Sequence, residues 1–364
     1  MHIVVDATPL LLRSAGVKNY VHHWISHMRR VSGPHSIATF PVRIPLDRLD
    51  HERSEAGPVA TLAGLSVLHF LDKSRLPWRY PGADVFHASH QFRNPPKNAK
   101  LTATIYDMTC WLTPGMHSRR NVKGSLQFGE LVLKRADGLI AISESSRRDA
   151  VEILGLNPER VEVVYPGIAE AFFEAMPDDA RRKYNLEKPY ALFVGTVEPR
   201  KNIDTLLDAY NGLSQSLRDE FDLVIAGPSG WAAQTTFDKL RRPGIRRLGY
   251  IPETDLPGIT AGATVFAYPS FYEGFGFPVA QAMAAGVPVV TSNVSSLPEI
   301  AAGAALLVDP HSEAEVRSAL DKLLSSPTLG AELGAAGRVR AQQYRWEAAA
   351  RKSLAFFERI CNAV

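Results

Sequence analysis

Residues 271–286 read Phe-Tyr-Glu-Gly-Phe-Gly-Phe-Pro-Val-Ala-Gln-Ala-Met-Ala-Ala-Gly. An apolar run, Thr264–Tyr268, leads into them and predicts a strand. Pro278 stands where a helix would begin and Gly286 where it would stop, the usual asymmetry of helix ends. The loop between them, Gly274, Phe275, Gly276 and Phe277, then aims backbone N–H groups and a positive helix end at one point. Such a place suits an anion such as a diphosphate. Glu273, at the mouth of the loop, can accept hydrogen bonds from sugar hydroxyls.

A second stretch, Gly195-Thr196-Val197-Glu198-Pro199-Arg200-Lys201-Asn202, also follows an apolar run and precedes a helical pattern. Gly195 allows close backbone approach, and Arg200 and Lys201 bring cations to a helix start that already favours an anion. Preorganised charge aimed at a leaving diphosphate is normally the largest catalytic contribution, and it can take the place of a metal. No Asp-x-Asp pair adjoins a strand end, Asp178-Asp179 falls in a connecting segment, and no His/Asp/Glu cluster has metal-ligand spacing. Cys110 and Cys361 are the only cysteines, which leaves no disulfide framework and no cysteine-based metal site. The expectation is chemistry without a metal or other cofactor.

These groups need elements to hold them. Apolar runs recur at 3–5, 103–105, 139–142, 161–164, 191–194, 223–226, 265–268, 287–290 and 305–308. Between several of them lie helical stripes: Val17, Tyr20, Val21, Trp24, Ile25 and Met28; Ile203, Leu206, Leu207, Tyr210 and Leu213; Val316, Leu320, Leu323 and Leu324. Ser312 and Glu315 open the last stripe with a capping-box pattern. Alternating strands and helices predict an α/β protein with doubly wound parallel sheets. Ligands bind beyond the carboxyl ends of such strands, where Ser143, Gly195, Gly227 and Ser270 stand. The pattern fades over 168–188, a charged, proline-bearing stretch, and a fresh strand begins at Tyr190. Two Rossmann-like domains are predicted, over 1–170 and 185–346.

A chain of 364 residues exceeds one usual hydrophobic core, in agreement with two domains. The net charge of +3, from 41 basic and 38 acidic residues without a basic run, argues against a nucleic-acid partner. The opening Met-His-Ile-Val-Val-Asp reads as a first strand, not a signal peptide, and no segment has the length of apolar residues that spans a bilayer. A cytoplasmic protein is expected, either free or peripheral at the inner face of the membrane. Lys18, His22, His23, Arg29 and Arg30 form the predicted outer face of the first helix, as a solvated surface or a docking face for an acidic membrane. His87 and His90 either line an acceptor site or form a pair without a ligand.

Gly16-Val17, Ile142-Ser143-Glu144-Ser145, Pro166-Gly167, the block 195–202, Gly249-Tyr250-Ile251, the block 271–286 and Leu297-Pro298-Glu299 occur in that order. Together, over nearly the whole chain, they resemble the retaining glycosyltransferases of family 4. The resemblance implies the GT-B fold, two Rossmann-like domains facing a central cleft. In it the final helix, about 347–364, crosses back onto the N-terminal domain, with Trp346, Ala350, Leu354 and Phe357 as its buried face. The family carries two glutamates eight positions apart; here they are Glu273 and Gln281. The second binds ribose hydroxyls, so glutamine should weaken donor binding without abolishing it. Lys201 matches the lysine that neutralises the donor diphosphate. Some relatives place an arginine directly after the glycine, where this chain has Thr196; Arg200 either substitutes or is a solvated charge.

Tyr106-Asp107 stands where many relatives have a histidine followed by aspartate that meets the donor sugar. Tyrosine does not titrate near neutrality, so it either contacts the donor or packs at the strand end. Gly16 matches a glycine that lets the backbone approach the donor. Backbone near Ile251 would meet the base. Glu253 could accept from the N1–H and N2–H of guanine, which points to GDP-mannose. The implied activity is transfer of a hexose from a nucleotide sugar to a glycan or lipid-linked acceptor, with retention at the anomeric carbon, in synthesis of cell-surface polysaccharide or glycoconjugate. The alternative is a non-catalytic glycan- or nucleotide-binding subunit on the same fold, since Tyr106 and Gln281 depart from the pattern. A nicotinamide dehydrogenase fits less well, because no Gly-x-Gly-x-x-Gly follows a strand.

Overall fold

The computed structural model describes every residue except 14, 15, 48, 75, 90, 91, 363 and 364, and omits the side chains of 178 and 179. His90 therefore lies outside the described residues. Short β-rich segments form two all-parallel sheets. The first holds β1 (His2–Asp6), β2 (Ser36–Phe40), β3 (Val85–Ala88), β4 (Lys100–Ile105), β5 (Gly138–Ala141) and β6 (Val161–Val163), in the order β2-β1-β3-β4-β5-β6. The second holds β7 (Tyr190–Val194), β8 (Asp222–Ala226), β9 (Ile245–Gly249), β10 (Val265–Tyr268), β11 (Val289–Ser292) and β12 (Leu306–Val308), in the order β12-β11-β10-β7-β8-β9. Parallel sheets need cover on both faces, and β3, β5, β10 and β11 are accordingly buried along their whole length.

The first sheet belongs to a unit of Met1–Gly167 with Arg345–Val364, and the second to a unit of Ile168–Tyr344. In the second sheet the chain runs outward from β7 through β8 to β9, then returns to the other side of β7 with β10. The reversal leaves a crevice beyond the carboxyl ends of β7 and β10, the position at which such sheets take ligands.

β2, β3 and β9 do not stand out as apolar runs. β2 begins at exposed Ser36 on a sheet edge, and β9, at the edge of the other sheet, carries Arg246 and Arg247. β3 has a histidine in the middle of four residues. His87 is 2% exposed, with its ring nitrogens 3.0 Å from Thr102 Oγ1 and 2.9 Å from Thr104 Oγ1. Burial pushes its pKa down to about 3. It is a neutral sheet residue, neither an acceptor-site ligand nor half of a helical or loop pair.

The expected basic outer face of helix Gly16–Val31 is not formed. Lys18 and His22 are buried, Arg29 and His23 half-buried, and Arg30 exposed. Lys18 Nζ donates to the carbonyls of Leu12 and Arg53, and His22 Nδ1 sits 2.7 Å from Glu55 Oε2. Arg29 donates to Ile37 O at 3.2 Å and Ile44 O at 3.0 Å. The segment running back past this helix supplies carbonyls and a carboxylate, so the polar side chains are spent on neighbouring backbone. On its other side Trp24 Nε1 donates to Ser353 Oγ at 2.9 Å, joining this helix to helix Trp346–Asn362, whose Trp346, Ala350, Leu354 and Phe357 are buried.

Candidate active site

The turn after β7 is shaped by glycine contact. Gly227, after β8, has φ +141° and packs directly on Gly195: a Cβ there would come within 2.0 Å of Gly195 O. Gly195 N donates to Ala226 O at 2.9 Å. The chain then makes a tight turn, Pro199–Lys201, and enters helix Ile203–Asn211 through Asn202 at φ +54°. Asn202 Nδ2 donates to Pro269 O at 2.9 Å and Pro310 O at 2.6 Å, and Phe271 N donates to Arg200 O at 2.9 Å. The loops after β7, β10 and β12 are thereby tied together.

This arrangement brings half-buried Arg200 and Lys201 and buried Glu273 into one cluster. Glu273 is 7% exposed. Its Oε1 accepts from Lys201 Nζ at 2.7 Å, Ser270 Oγ at 2.7 Å and Tyr268 OH at 3.0 Å. Its Oε2 faces Arg200 Nη1 at 3.0 Å. Arg200 also donates to Tyr272 O at 2.7 Å and Glu198 Oε1 at 2.8 Å. Lys201 Nζ further donates to Tyr268 OH. Burial alone would raise the Glu273 carboxyl, but Arg200 and Lys201 outweigh it and pull the pKa down to about 2. Burial, then Arg200, lowers that of Lys201, against the pull of Glu273. Burial and the Glu273 carboxylate hold the Tyr268 phenol well above its ordinary value. Glu273 is thus a fixed carboxylate. Oε1 has three donors, while Oε2 retains room for another hydrogen bond.

The glycine loop is equally constrained. Glu273 N accepts no freedom of position, since it donates to Ser295 Oγ at 3.0 Å, and Ser296 Oγ donates to Glu273 O at 2.9 Å. Gly276 precedes helix Phe277–Ala284 at φ +93°, and a Cβ on it would lie 2.7 Å from Leu297 Cδ2. Phe275 is 2% exposed and meets Tyr344 edge-on at 5.3 Å, so its side chain anchors the loop from below. Gly274 is buried and Phe277 half-buried. Gln281 lies on the same helix, 7% exposed, with no side-chain hydrogen-bond partner among the described residues.

The remaining candidate residues are spread more widely. In the second unit Thr196 is half-buried after β7, while Ile251 and half-buried Glu253 follow β9. In the first unit Tyr106 is half-buried at the end of β4, edge-on to Tyr20 at 5.3 Å, and burial keeps its phenol neutral, well above its ordinary value. Asp107 Oδ1 accepts from Thr109 N at 3.0 Å and Thr109 Oγ1 at 2.6 Å, which builds the turn after the strand. Gly16 opens helix Gly16–Val31 with empty space around any added Cβ. Tyr106 and Asp107 line a cavity of about 210 Å³ with Val17, His117 and Asn121. Tyr268, Glu198, Ser295 and Ser296 were not legible as site residues: Tyr268 reads as the end of an apolar strand, and the serines lie over twenty positions beyond Glu273. Among the described residues, no group of three His, Cys, Asp or Glu side chains could hold a metal ion.

Comparison with known proteins agrees with this geometry. Residues 177–340 match the profile of "Glycosyl transferases group 1", and residues 14–172 match "Glycosyltransferase Family 4". O-antigen chain mannosyltransferase B of Escherichia coli is 32% identical over 272 residues, which cover 72% of this chain and 71% of that protein. Sucrose-phosphate synthase from Thermosynechococcus elongatus superposes with a TM-score of 0.75 at 21% identity, over 100% of both chains. Anabaena HepE, solved in complex with UDP-glucose, does so with a TM-score of 0.69 at 18% identity, over 97% of this chain and 98% of the other.

Proposed function

Because the chain belongs to the group 1, family 4 glycosyltransferases and has their GT-B fold, we propose that it moves a hexose from a nucleotide-sugar donor to a glycan or lipid-linked acceptor, with retention at the anomeric carbon. The observation that carries this reading is the Arg200–Lys201–Glu273 cluster at the chain reversal between β7 and β10. Mannose, carried by GDP, is the proposed sugar. A mannosyltransferase of O-antigen chains is similar over most of its length, and Glu253 stands where a carboxylate could take two N–H donors of guanine. The complex of HepE with UDP-glucose supports a nucleotide sugar as the donor class. The same similarity to an O-antigen enzyme supports a place in cell-surface polysaccharide synthesis.

In the proposed reaction, Lys201 holds the diphosphate with the N–H that Glu273 and Tyr268 do not use. Glu273 Oε2 accepts from a sugar hydroxyl, and the Gly274–Phe277 loop lies against the sugar. Gln281 meets the ribose. The acceptor hydroxyl attacks the anomeric carbon from the side of the departing diphosphate. The bond from that carbon to the phosphate oxygen breaks, and a diphosphate oxygen takes the hydroxyl proton. No protein nucleophile takes part, and the negative charge that gathers on the leaving diphosphate is met by side-chain cations, without a metal.

The test is nucleotide release from GDP-mannose and UDP-glucose, with and without a sugar acceptor, in excess EDTA. Release of GDP in EDTA, faster than release of UDP, is expected. Turnover that vanishes in EDTA and returns with Mg²⁺ or Mn²⁺ would overturn the metal-free mechanism. Binding of nucleotide without any release would leave a binding subunit.

A further inference from the structure

Among the described residues of the second unit, the exposed large aromatic side chains are Trp231, 55% exposed, and Tyr250, 38% exposed. Both stand at the same end of the sheet. Trp231 lies in the loop after β8, and Tyr250 directly follows β9, the next strand. One exposed aromatic needs no explanation. Two on adjacent loops, at the strand ends where such a sheet takes its ligands, form a place for a flat apolar group.

The loop that carries Trp231 is pinned on both sides. Gly227 N donates to Gly249 O at 2.7 Å, which ties it to the end of β9. Val197 N donates to Pro228 O at 3.1 Å, and Ser229 bridges to Val197, which ties it to the turn after β7. Gly230 touches that same turn, since a Cβ on it would come within 2.4 Å of Val197 O. From β9, Arg247 donates to Ser229 Oγ, and its guanidinium lies 5.7 Å from the centre of the Phe237 ring. Trp231, the residue after Gly230, therefore extends its indole from a backbone that is already fixed.

Its position matches one part of the nucleotide. Lys201 stands in the turn after β7, and Ile251 and Glu253 follow β9. Neighbouring strands are about 4.8 Å apart, so β7 and β9 lie roughly 10 Å apart with β8 between them. A nucleoside diphosphate with its phosphates at Lys201 and its base at Glu253 crosses the end of β8, where Trp231 stands. Bases stack on exposed aromatic rings, and a purine covers more of an indole than a pyrimidine does.

We propose that Trp231 is the stacking platform for the nucleobase, with Tyr250 bordering it from the β9 side, and that it makes the site prefer a purine. This rests on the nucleotide-sugar reading above and adds to it the residue that holds the base.

Calorimetric titration of the full chain with GDP, UDP and inorganic pyrophosphate tests it, with tryptophan fluorescence recorded in parallel. GDP is expected to bind more tightly than UDP and to quench fluorescence. Trp231→Ala should weaken GDP at least about tenfold, the scale for losing one base stack, and UDP less. Pyrophosphate affinity should not change. Trp231→Phe should restore most of the GDP affinity while removing the quench. The side chain is exposed, so both variants should keep the wild-type melting temperature. Equal losses for GDP and pyrophosphate in Trp231→Ala would overturn the proposal, because the tryptophan would then only shape the phosphate turn. So would unchanged GDP affinity in that variant, including the case in which it loses affinity for methyl α-mannoside instead and Trp231 is a sugar platform. Those outcomes leave the donor reading standing; wild-type protein that binds neither nucleotide would overturn that reading and this inference together.

Discussion

Lys201 Nζ lies 2.7 Å from Glu273 Oε1, although the two residues are 72 positions apart. The pair forms because β7 and β10 are neighbours in the sheet while β8 and β9 turn away from them. Arg200 completes the contact on the other carboxylate oxygen and is itself balanced by Glu198. Arginine, lysine and two glutamates thus form a neutral set. In the proposed reaction an incoming diphosphate would meet cations already held by a carboxylate and share Lys201 with Glu273.

Lys201→Ala should lower turnover at least ~10²-fold, the scale for losing one preorganised charge at a leaving group. Nucleoside diphosphate binding should weaken as well. Kinetics together with calorimetric titration measure both, and a circular dichroism spectrum checks the fold. Wild-type turnover in a folded variant would remove Lys201 from the chemistry.

Glu273→Gln should nearly abolish transfer while nucleoside diphosphate affinity stays within about tenfold, or ~1.4 kcal/mol, of wild type. The structure adds a direction. Removing the carboxylate charge frees Lys201 and Arg200 for phosphate, so any change in affinity should be toward tighter binding. A loss of diphosphate binding as large as the loss of turnover would contradict the assignment of Glu273 to the sugar.

The same carboxylate makes stability depend on pH. Its folded pKa is depressed, from 4.5 to about 2. Its contribution is therefore fully present above about pH 4.5 and is lost as pH falls through about 2, because the unfolded chain binds the proton first. That contribution is on the order of a few kcal/mol. In urea unfolding between pH 6 and pH 3, the stability advantage of wild type over the Glu273→Gln protein should shrink at the acid end. An advantage that is constant with pH would mean that the ion pairs are not holding the charge.

Gln281→Glu should tighten ribonucleotide binding several-fold, since a charged acceptor adds roughly 1 kcal/mol to a hydrogen bond. Deoxyribonucleotide should gain less. Gln281 is available for this role because its side chain is committed to no described residue. Equal binding of both nucleotides to both proteins would place Gln281 away from the ribose.

Much of this protein can be read locally. Helix ends are written in Pro278, Gly286 and the Ser312–Glu315 capping pair, and Ser312 Oγ indeed accepts from Glu315 N at 3.2 Å. Alternating apolar runs and helical stripes determine parallel α/β units, because a strand buried on both faces must be apolar throughout. The residue types at 195–202 and 271–286 determine that an anion and a sugar hydroxyl could be met. Two edge strands, β2 and β9, escape this reading, since they are half-exposed and carry polar side chains that the interior of a sheet would not accept.

Strand order belongs to the tertiary structure alone. Nothing in either block says that β10 lies against β7, and without that contact Glu273 would keep its local partners Tyr268 and Ser270 but have neither Arg200 nor Lys201. The direction of helix faces is decided in the same way. Periodicity shows that a helix has an apolar stripe and a polar one, but neighbours decide which is covered. Lys18 and His22 turn inward because Arg53 O and Glu55 are waiting there, while Leu62 and Phe70 turn outward because the covered side of their helix is already filled by Gly64 and Leu68. Burial is a property of what packs against a residue, and distant segments of the chain supply it.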